Sequence, residues 1–433
     1  YEFIMIKNFI LNIFFLTLCF NSSLIAKTKD KQTYEYIDLF GQVFDRVRSS
    51  YVEDVTDEEL IEKAIDGMLT GLDPHSGYMD EDVWEEMKLD TEGKFGGLGI
   101  EITMEEGFVK VISPIEDTPA YEAGVKAGDY IIQIEDTSVF GLTLNEAVDL
   151  LRGKKGEPII ITISREGIEP FELTIIRDFI KIQSVKNEIY EDIGYLRITS
   201  FTEQTEDGLI KSIKKIKNEL NKKEKGYILD LRSNPGGLLN QAVKVTDIFI
   251  ERGEIVSTRG RDKKNIKRYR ATKGDLIENK PLVVIINGGS ASASEIVAGA
   301  LQDHRRAIVI GTQSFGKGSV QTIIPFPKTK SRGKTGIRLT TARYYTPAGI
   351  SIQGKGISPD IIVEQGIFES FNYKQFSESD LKDALDKEKG DSSFKNNDVK
   401  LPEKEEKLQK DFQLQRALDL IKGLSLYQKS LEE

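Results

Sequence analysis

The segment from Pro281 to Gln321 restricts the possible folds of this chain more than any other. It reads PLVVIINGGSASASEIVAGALQDHRRAIVIGTQSFGKGSVQ. The apolar run Pro281 to Ile286 has the length and β-branched content of a buried strand. Asn287-Gly288-Gly289 is a tight-turn signal, and Glu295 to Leu301 reads as a helix. A second apolar run, Ala307 to Gly311, follows. Strand, turn, helix and strand in this order describe an α/β unit. Ser292 falls near the helix N-terminus, where unpaired backbone N–H groups and the helix dipole favour developing negative charge. Lys317 comes twenty-five residues after Ser292. It can stand beside the serine only if the second run returns next to the first.

A serine hydroxyl is a weak nucleophile until a neighbouring base takes its proton. The chain has two histidines, and a Ser-His-Asp arrangement would have to use one of them. His304 lies twelve residues after Ser292, so helical rise carries it roughly 18 Å away, and a structural role is expected. His75, in LDPHSGY, sits beside a turn signal and is expected to turn or pack. Lysine can replace histidine only when uncharged, and an ordinary lysine titrates near ~10.4. Burial among apolar groups lowers that value; Val309, Ile310, Phe315, Val320 and Ile323 are the candidates to supply it. A solvated lysine in a Gly-Lys-Gly hairpin is the competing reading, and the serine motif at the right separation favours the base.

A tetrahedral intermediate also needs donors for its oxyanion. Residues 226–240, GYILDLRSNPGGLLN, give a buried strand (Tyr227 to Leu231), a Pro-Gly-Gly turn and the start of a helix. Glycines after a strand let backbone amides face a ligand. By itself such a turn is only a turn.

GSASASE followed by FGKGSVQ resembles the active-site signature of the C-terminal processing proteases, also called tail-specific proteases, over roughly residues 35–365. The resemblance implies a serine/lysine dyad: Ser292 as nucleophile, Lys317 as base and Gln321 orienting the lysine. It implies an oxyanion hole from the DLRxNxGG segment, Gly237 or Gly236 with Gly237 preferred, together with Ala293. Asp303 matches an aspartate of less settled, supporting role. The alternating strands and helices suggest an α/β multi-domain chain, and the resemblance implies a crotonase/ClpP-like ββα catalytic core.

Residues 93–180 read as a different module, with strands FVKVIS, DYIIQIED, IIITISREG and FELTIIR around a helix at Leu144 to Leu151. The order of a Gly-Leu-Gly-Ile loop, short strands and one late helix resembles a PDZ domain, as does AGVKAGDYIIQI. Such domains add an extended peptide as a strand and capture its terminal carboxylate in loop amides. That role falls on Gly97, Leu98, Gly99 and Ile100. Arg152, closing the helix, is a cap charge or an element that senses the bound peptide.

A chain of 433 residues is expected to hold two or three domains. The formal net charge of −10 argues against nucleic acid as a partner. The single Cys19 excludes a disulfide framework and a cysteine-histidine metal site. No metal or organic cofactor is expected. Residues 5–26 read as a secretory signal, with Lys7 as positive region and Phe9 to Phe20 as apolar stretch; an uncleaved anchor is the alternative. Tyr1 to Ile4 would then lie outside the mature protein, which would be periplasmic or otherwise extracytoplasmic. Residues 27–92 carry two helical stripes, Phe40, Val43, Phe44, Val47 and Ile61, Ala64, Ile65, Met68, expected in a core or interface. Thr56 with Glu59 is a capping-box signal. The peptidase domain is expected at 181–366, then a charged linker and a helix with the stripe Leu414, Ala417, Leu418, Ile421 to residue 433. The resemblance implies dimer contacts through terminal helices, a helix docked on its own chain being the alternative. The expected whole is a secreted serine endopeptidase whose PDZ domain takes substrate C-terminal tails, with an adaptor lipoprotein as a further partner left open. A catalytically silent scaffold on the same fold is the alternative; it would be expected to have lost Ser292, Lys317 or Gln321.

Overall fold

The computed structural model describes residues 32–366, apart from 116, 182, 263, 265, 273 and 328–332, together with 408 and 410–432. The leader expected at 5–26 and nearly all of the charged linker lie outside the described residues. No helix among the described residues is long and apolar enough to cross a membrane.

The described residues fall into two compact units. The first comprises α1 (residues 32–50), α2 (Asp57–Thr70), β1 (Gly77–Met79) and the segments Ile323–Pro327 and Thr335–Leu339. The sequence signal at Thr56 is realised as a reciprocal cap on α2: the Thr56 amide donates to Glu59 Oε2 at 3.0 Å and the Glu59 amide to Thr56 Oγ1 at 3.2 Å. β1 pairs antiparallel with Gly336 to Arg338. Of the two apolar stripes, Phe40 and Val43 on α1 and Ile61 and Met68 on α2 are exposed, so these positions form no core within the unit, and an interface is the expectation that remains for them.

The second unit begins with α3 (Glu81–Glu92), which runs into β2 (Lys94–Gly97). A module then follows: β3 (Ile100–Glu105), β4 (Phe108–Pro114), α4 (Pro119–Glu122), β5 (Tyr130–Ile134), β6 (Thr137–Ser138), α5 (Leu144–Leu151), β7 (Pro158–Arg165) and β8 (Ile168–Ile176). Its strand order is β3-β4-β5-β7-β8, with β6 on β5. Alternating residues such as Ile159, Ile161 and Ile163 are fully buried against Val109, Ile131 and Ala147. β9 (Asp178–Lys181) leaves the module antiparallel to β2, so the strand that enters and the strand that exits are hydrogen-bonded neighbours.

The remaining elements are β10 (Val185–Tyr190), β11 (Ile193–Ile198), α6 (Thr205–Glu219), β12 (Gly226–Asp230), α7 (Leu239–Asp247), β13 (Glu254–Gly260), β14 (Ile266–Arg270), β15 (Leu282–Ile286), α8 (Ala293–Asp303), β16 (Ile308–Gly311), β17 (Ser319–Phe326), β18 (Thr335–Tyr345), β19 (Ile361–Ile362) and α9 (Phe412–Glu432). A six-stranded sheet runs β10-β11-β12-β15-β16-β19, parallel from β11 onward. Every residue of β12 and β15 is buried, as continuous apolar strands require in a sheet covered on both faces. Side chains of α6, α7 and α8 cover one face, in a core that includes Leu229, Val284 and Val309. Ile228, Val283, Ile285 and Ile310 face the other way, onto Leu414, Ala417, Leu418 and Ile421 of α9. The apolar stripe of the last helix is thus used on this chain's own sheet.

A buried ion pair fixes α9 there. Arg232, just beyond β12, forks onto both carboxylate oxygens of Asp411 at 2.8 and 2.7 Å and also holds the fully buried Asp230. Burial by itself would raise the Asp411 pKa, but its hydrogen bonds to Arg232 outweigh that and hold it below the ordinary aspartate value. A carboxylate lowered in this way stabilises the docked helix above its unfolded pKa, and the stabilisation is lost as pH falls through the lower folded value. Arg232→Ala is therefore expected to leave Asp411 without its cation, at a cost of about 3–5 kcal/mol, while Asp230 keeps Tyr195 and Arg197. Limited proteolysis at neutral pH should cut the variant near α9 first; unchanged protection would show that apolar packing alone holds the helix.

Candidate active site

The ends of three parallel strands, β12, β15 and β16, bring the candidate residues together, the place where open α/β sheets bind ligands. The loop after β15 is tied to the loop after β12 by its serines. Ser290 Oγ donates to Leu231 O at 2.8 Å and accepts from the Asn287 amide at 3.0 Å. Ser294 Oγ donates to Asn234 O at 3.0 Å, and that carbonyl also accepts from the Ala291 amide. Both hydroxyls are fully buried, whereas Ser292 retains 8% of its surface. Ser292 itself is held at φ 53°, ψ −109°. That is a sparsely populated conformation for a residue with a side chain, worth roughly 1–3 kcal/mol of local strain. Of the three serines, only Ser292 is set on such a strained turn at the mouth of α8.

Gly236 and Gly237 pack against this turn in conformations closed to other residues, with φ of 103° and 139°. A Cβ on Gly236 would come within 2.8 Å of Ser292 Cβ, and one on Gly237 within 2.3 Å of Phe201 O. The Gly236 amide donates to Asn234 Oδ1 at 2.9 Å. Among the described residues no acceptor takes the amides of Gly237 and Ala293. The Gly236 amide is thus engaged, whereas the amides of Gly237 and Ala293 stay open as donors.

Glu295, the acidic end of the serine motif, joins the two loops of the site, a role that sequence reasoning misses. Glu295 is fully buried, and its carboxylate accepts four hydrogen bonds. Oε2 takes the Ser292 amide at 2.7 Å and the Lys317 amide at 2.9 Å; Oε1 takes Ser314 Oγ and the Gly316 amide, both at 2.6 Å. One oxygen thus binds the backbones of both dyad candidates. The signal that could have found it is Ser292-x-x-Glu295, the spacing of a capping box.

Lys317 follows the loop after β16, with its neighbours fixed: the Phe315 amide donates to Ser290 O, and Gly318 accepts from the Tyr344 amide. Lys317 is half-buried. Val309 and Ile310 are buried as expected, but Phe315 is 65% exposed and does not contribute to an apolar wall. Anchoring both its amide and that of Gly316 turns its ring outward. Gln321 donates its amide N–H groups to Ser319 Oγ at 2.9 Å and Thr340 Oγ1 at 3.2 Å. A glutamine held this way keeps its carbonyl oxygen as an acceptor for a lysine.

Asp303 and His304 close the far end of α8. Asp303 Oδ2 accepts from the Ala348 amide at 2.8 Å, and His304 Nε2 meets Glu254 O at 2.7 Å. A helix of eleven residues places them about 16 Å along the axis from Ser292. Asp303 thus supports a loop and does not reach the dyad. His75 lies in a turn, where its amide donates to Asp73 Oδ1 and its carbonyl accepts from Arg338 Nε.

In the preceding module, Gly97, Leu98, Gly99 and Ile100 line a groove of about 210 Å³ with Val148 and Arg152 of the α5 side. The carbonyls of Leu98 and Gly99 point inward, accepting from the Ala120 and Ile115 amides. Among the described residues their own amides have no acceptor. Arg152 stacks on Phe95, 5.2 Å from the ring centroid, and so belongs to the groove as well as to the helix end.

Comparison with known proteins identifies the family. Peptidase family S41 matches residues 192–363, a PDZ domain residues 110–165, and the activating protease CtpB N-terminal domain residues 20–83. A carboxy-terminal-processing protease of Bartonella bacilliformis is 52% identical over 410 residues, covering 92% of this chain and 91% of the relative. The chain belongs to the carboxy-terminal-processing proteases. Carboxy-terminal processing protease CtpA of Bacillus subtilis is 36% identical to the protease, covering 79% of this chain and 72% of that one. Among solved structures, a photosystem II D1 C-terminal processing protease is 29% identical, with a TM-score of 0.46 and coverage of 74% and 86%. The protease is therefore a serine-type peptidase with a PDZ domain on a mixed α/β fold.

Proposed function

We propose that the protease is an extracytoplasmic endopeptidase that engages substrate C-terminal tails through its PDZ domain and hydrolyses peptide bonds with Ser292 and Lys317. The observation that carries the dyad is the Glu295 oxygen shared by the Ser292 and Lys317 amides. In this reading neutral Lys317 takes the Ser292 hydroxyl proton as Oγ attacks the scissile carbonyl. The oxyanion is received by the Gly237 and Ala293 amides. Collapse breaks the C–N bond, and the leaving amine takes the proton back from the Lys317 ammonium. Water then repeats the sequence on the acyl-enzyme, returning Ser292 and releasing the new carboxylate. Gln321 positions the lysine. The apolar segment at Phe9 to Phe20 supports export, and the charged, tail-reading design leaves room for an adaptor that delivers substrates.

The unclaimed amides of Leu98 and Gly99 support capture of a terminal carboxylate. A reporter with an apolar free-acid tail is expected to be cleaved about 10- to 100-fold faster than its charged-tail counterpart, since burying one apolar side chain is worth about 1.5–3 kcal/mol, and faster than its amidated counterpart, which lacks the charge that the loop amides favour. Gly99→Val should remove that preference. Its φ is +79°, and a Cβ there would lie 2.3 Å from Thr118 Cβ. Equal kcat/KM for all three tails on the unmodified enzyme would refute tail recognition.

A further inference from the structure

A second cavity, of about 550 Å³, is lined by Arg259, Arg261, Arg343, Tyr345 and Thr340 among others. Its chemistry is unusual for a sheet surface. Arg259 of β13 and Arg343 of β18 are direct partners in the antiparallel register, so two like charges stand opposite one another on one face. Arg259 is stacked on Tyr345 with its guanidinium carbon 3.9 Å from the ring centroid, which fixes its plane. Its Nε is buried with no hydrogen-bond partner. Among the described residues no carboxylate pairs with Arg259, Arg261 or Arg343, and the adjacent Asp262 accepts from the Lys264 amide. The cavity adjoins the catalytic strand, because Thr340, part of its lining, takes the amide of Gln321.

From this arrangement we infer a carboxylate subsite: Arg259 and Arg343 receive an acidic side chain of the substrate, near the bond that is cut. Planar guanidinium groups read carboxylates through paired N–H donors, and a carboxylate between them relieves the like-charge contact. The inference rests on the proposed peptidase site but adds a preference that PDZ tail recognition does not supply. Two sources of carboxylate are separable, an acidic side chain and a chain terminus.

The test uses amidated reporter peptides that differ only by Glu or Gln, walked across the positions around the cleaved bond, and a matched set with free-acid termini. Glu is expected to raise kcat/KM about 10-fold at one position, whatever the terminus, and Arg343→Gln should erase that gain while the Gln reporters are cut at the parent rate. Arg259→Gln should do the same, although it also loses the stacking on Tyr345; Arg343 has no such contact, which guards against a folding artefact. Full-length Ser292→Ala protein, titrated with the same peptide pairs, should bind the Glu peptide about 10-fold more tightly than the Gln peptide, and Arg343→Gln should remove this difference. Normal cleavage of Gln reporters with no Glu preference at any position overturns the subsite and leaves the dyad standing. A gain that appears only with free-acid termini assigns the cavity to a chain terminus and overturns the side-chain inference. If no reporter is cleaved, the dyad reading fails, and the binding titration decides the subsite by itself.

Discussion

Ser292→Ala is expected to abolish peptide hydrolysis, by about 10⁴-fold or more in kcat, while leaving the fold intact. The turn does not depend on the Ser292 hydroxyl. Its shape is held by the Ser292 amide on Glu295 and by the hydroxyls of Ser290 and Ser294 on carbonyls of the neighbouring loop. Alanine can occupy the same φ and ψ at the same strain. Lys317→Ala should be equally inactive, since the position of the loop is fixed by backbone groups and only the base is removed. The flanking serines should behave in the opposite way. Ser290→Ala leaves the Leu231 carbonyl without its donor and the Asn287 amide without its acceptor, costing about 1–3 kcal/mol, whereas Ser294→Ala takes one of two donors from the Asn234 carbonyl and should cost less; thermal unfolding should move down in both while turnover remains measurable. A covalent serine label should map to Ser292. A label on Ser294, or near-normal cleavage by purified Lys317→Ala, would remove the assignment. His304→Ala should keep substantial activity, since its ring contacts Glu254 O at the distant end of α8.

Glu295→Gln is expected to lower kcat by roughly 10²- to 10⁴-fold although the residue touches no substrate. The side chain has one acceptor oxygen in place of two, and its NH₂ must face two of four fixed donors. Either the Ser292 and Lys317 amides or the Ser314 hydroxyl and Gly316 amide then meet a donor. Ser314 can offer its second lone pair to the NH₂, beside the one that accepts from the Ile357 amide, but the Gly316 amide is a donor only and cannot adapt. Losing hydrogen bonds to a buried charge costs about 1.5–3 kcal/mol each, so stability should fall as well. A split between kcat and KM separates positioning from general damage: a misaligned dyad lowers kcat and slows covalent labelling of Ser292, with KM for a short peptide little changed. If kcat stays within about 3-fold of the parent enzyme, Glu295 is only a packing element.

The parts of this architecture that sequence revealed were those encoded within a few residues. Pro281 to Ile286 and Tyr227 to Leu231 announced themselves as buried strands by length and β-branching, and the observed strands are Leu282–Ile286 and Gly226–Asp230. The Thr56 and Glu59 cap needed only a three-residue spacing. What stayed hidden depends on groups brought together from distant loops. Glu295 gathers donors from 292, 314, 316 and 317, and nothing in SASASE says that its carboxylate faces inward. Phe315 counts as apolar by composition, yet anchored neighbours leave it exposed. The pairing of Arg232 with Asp411 joins residues 179 apart, across a linker whose composition gives no register. For the same reason two arginines, Arg259 and Arg343, face each other without any local hint.

The antiparallel contact of β2 with β9 has an architectural consequence. Gly97 and Asp178 are register partners, so the chain leaves the core and returns to it through two adjacent backbones, about 5 Å apart. Such a gap is one that a two-residue hairpin closes. The PDZ module is therefore a detachable cartridge: residues 98–177 are excisable by a tight turn, or exchangeable for another small fold with neighbouring termini, without re-threading the sheet that carries Ser292. Selectivity and chemistry can accordingly drift at different rates in such a chain, because the only covalent seam between them is a single pair of strands.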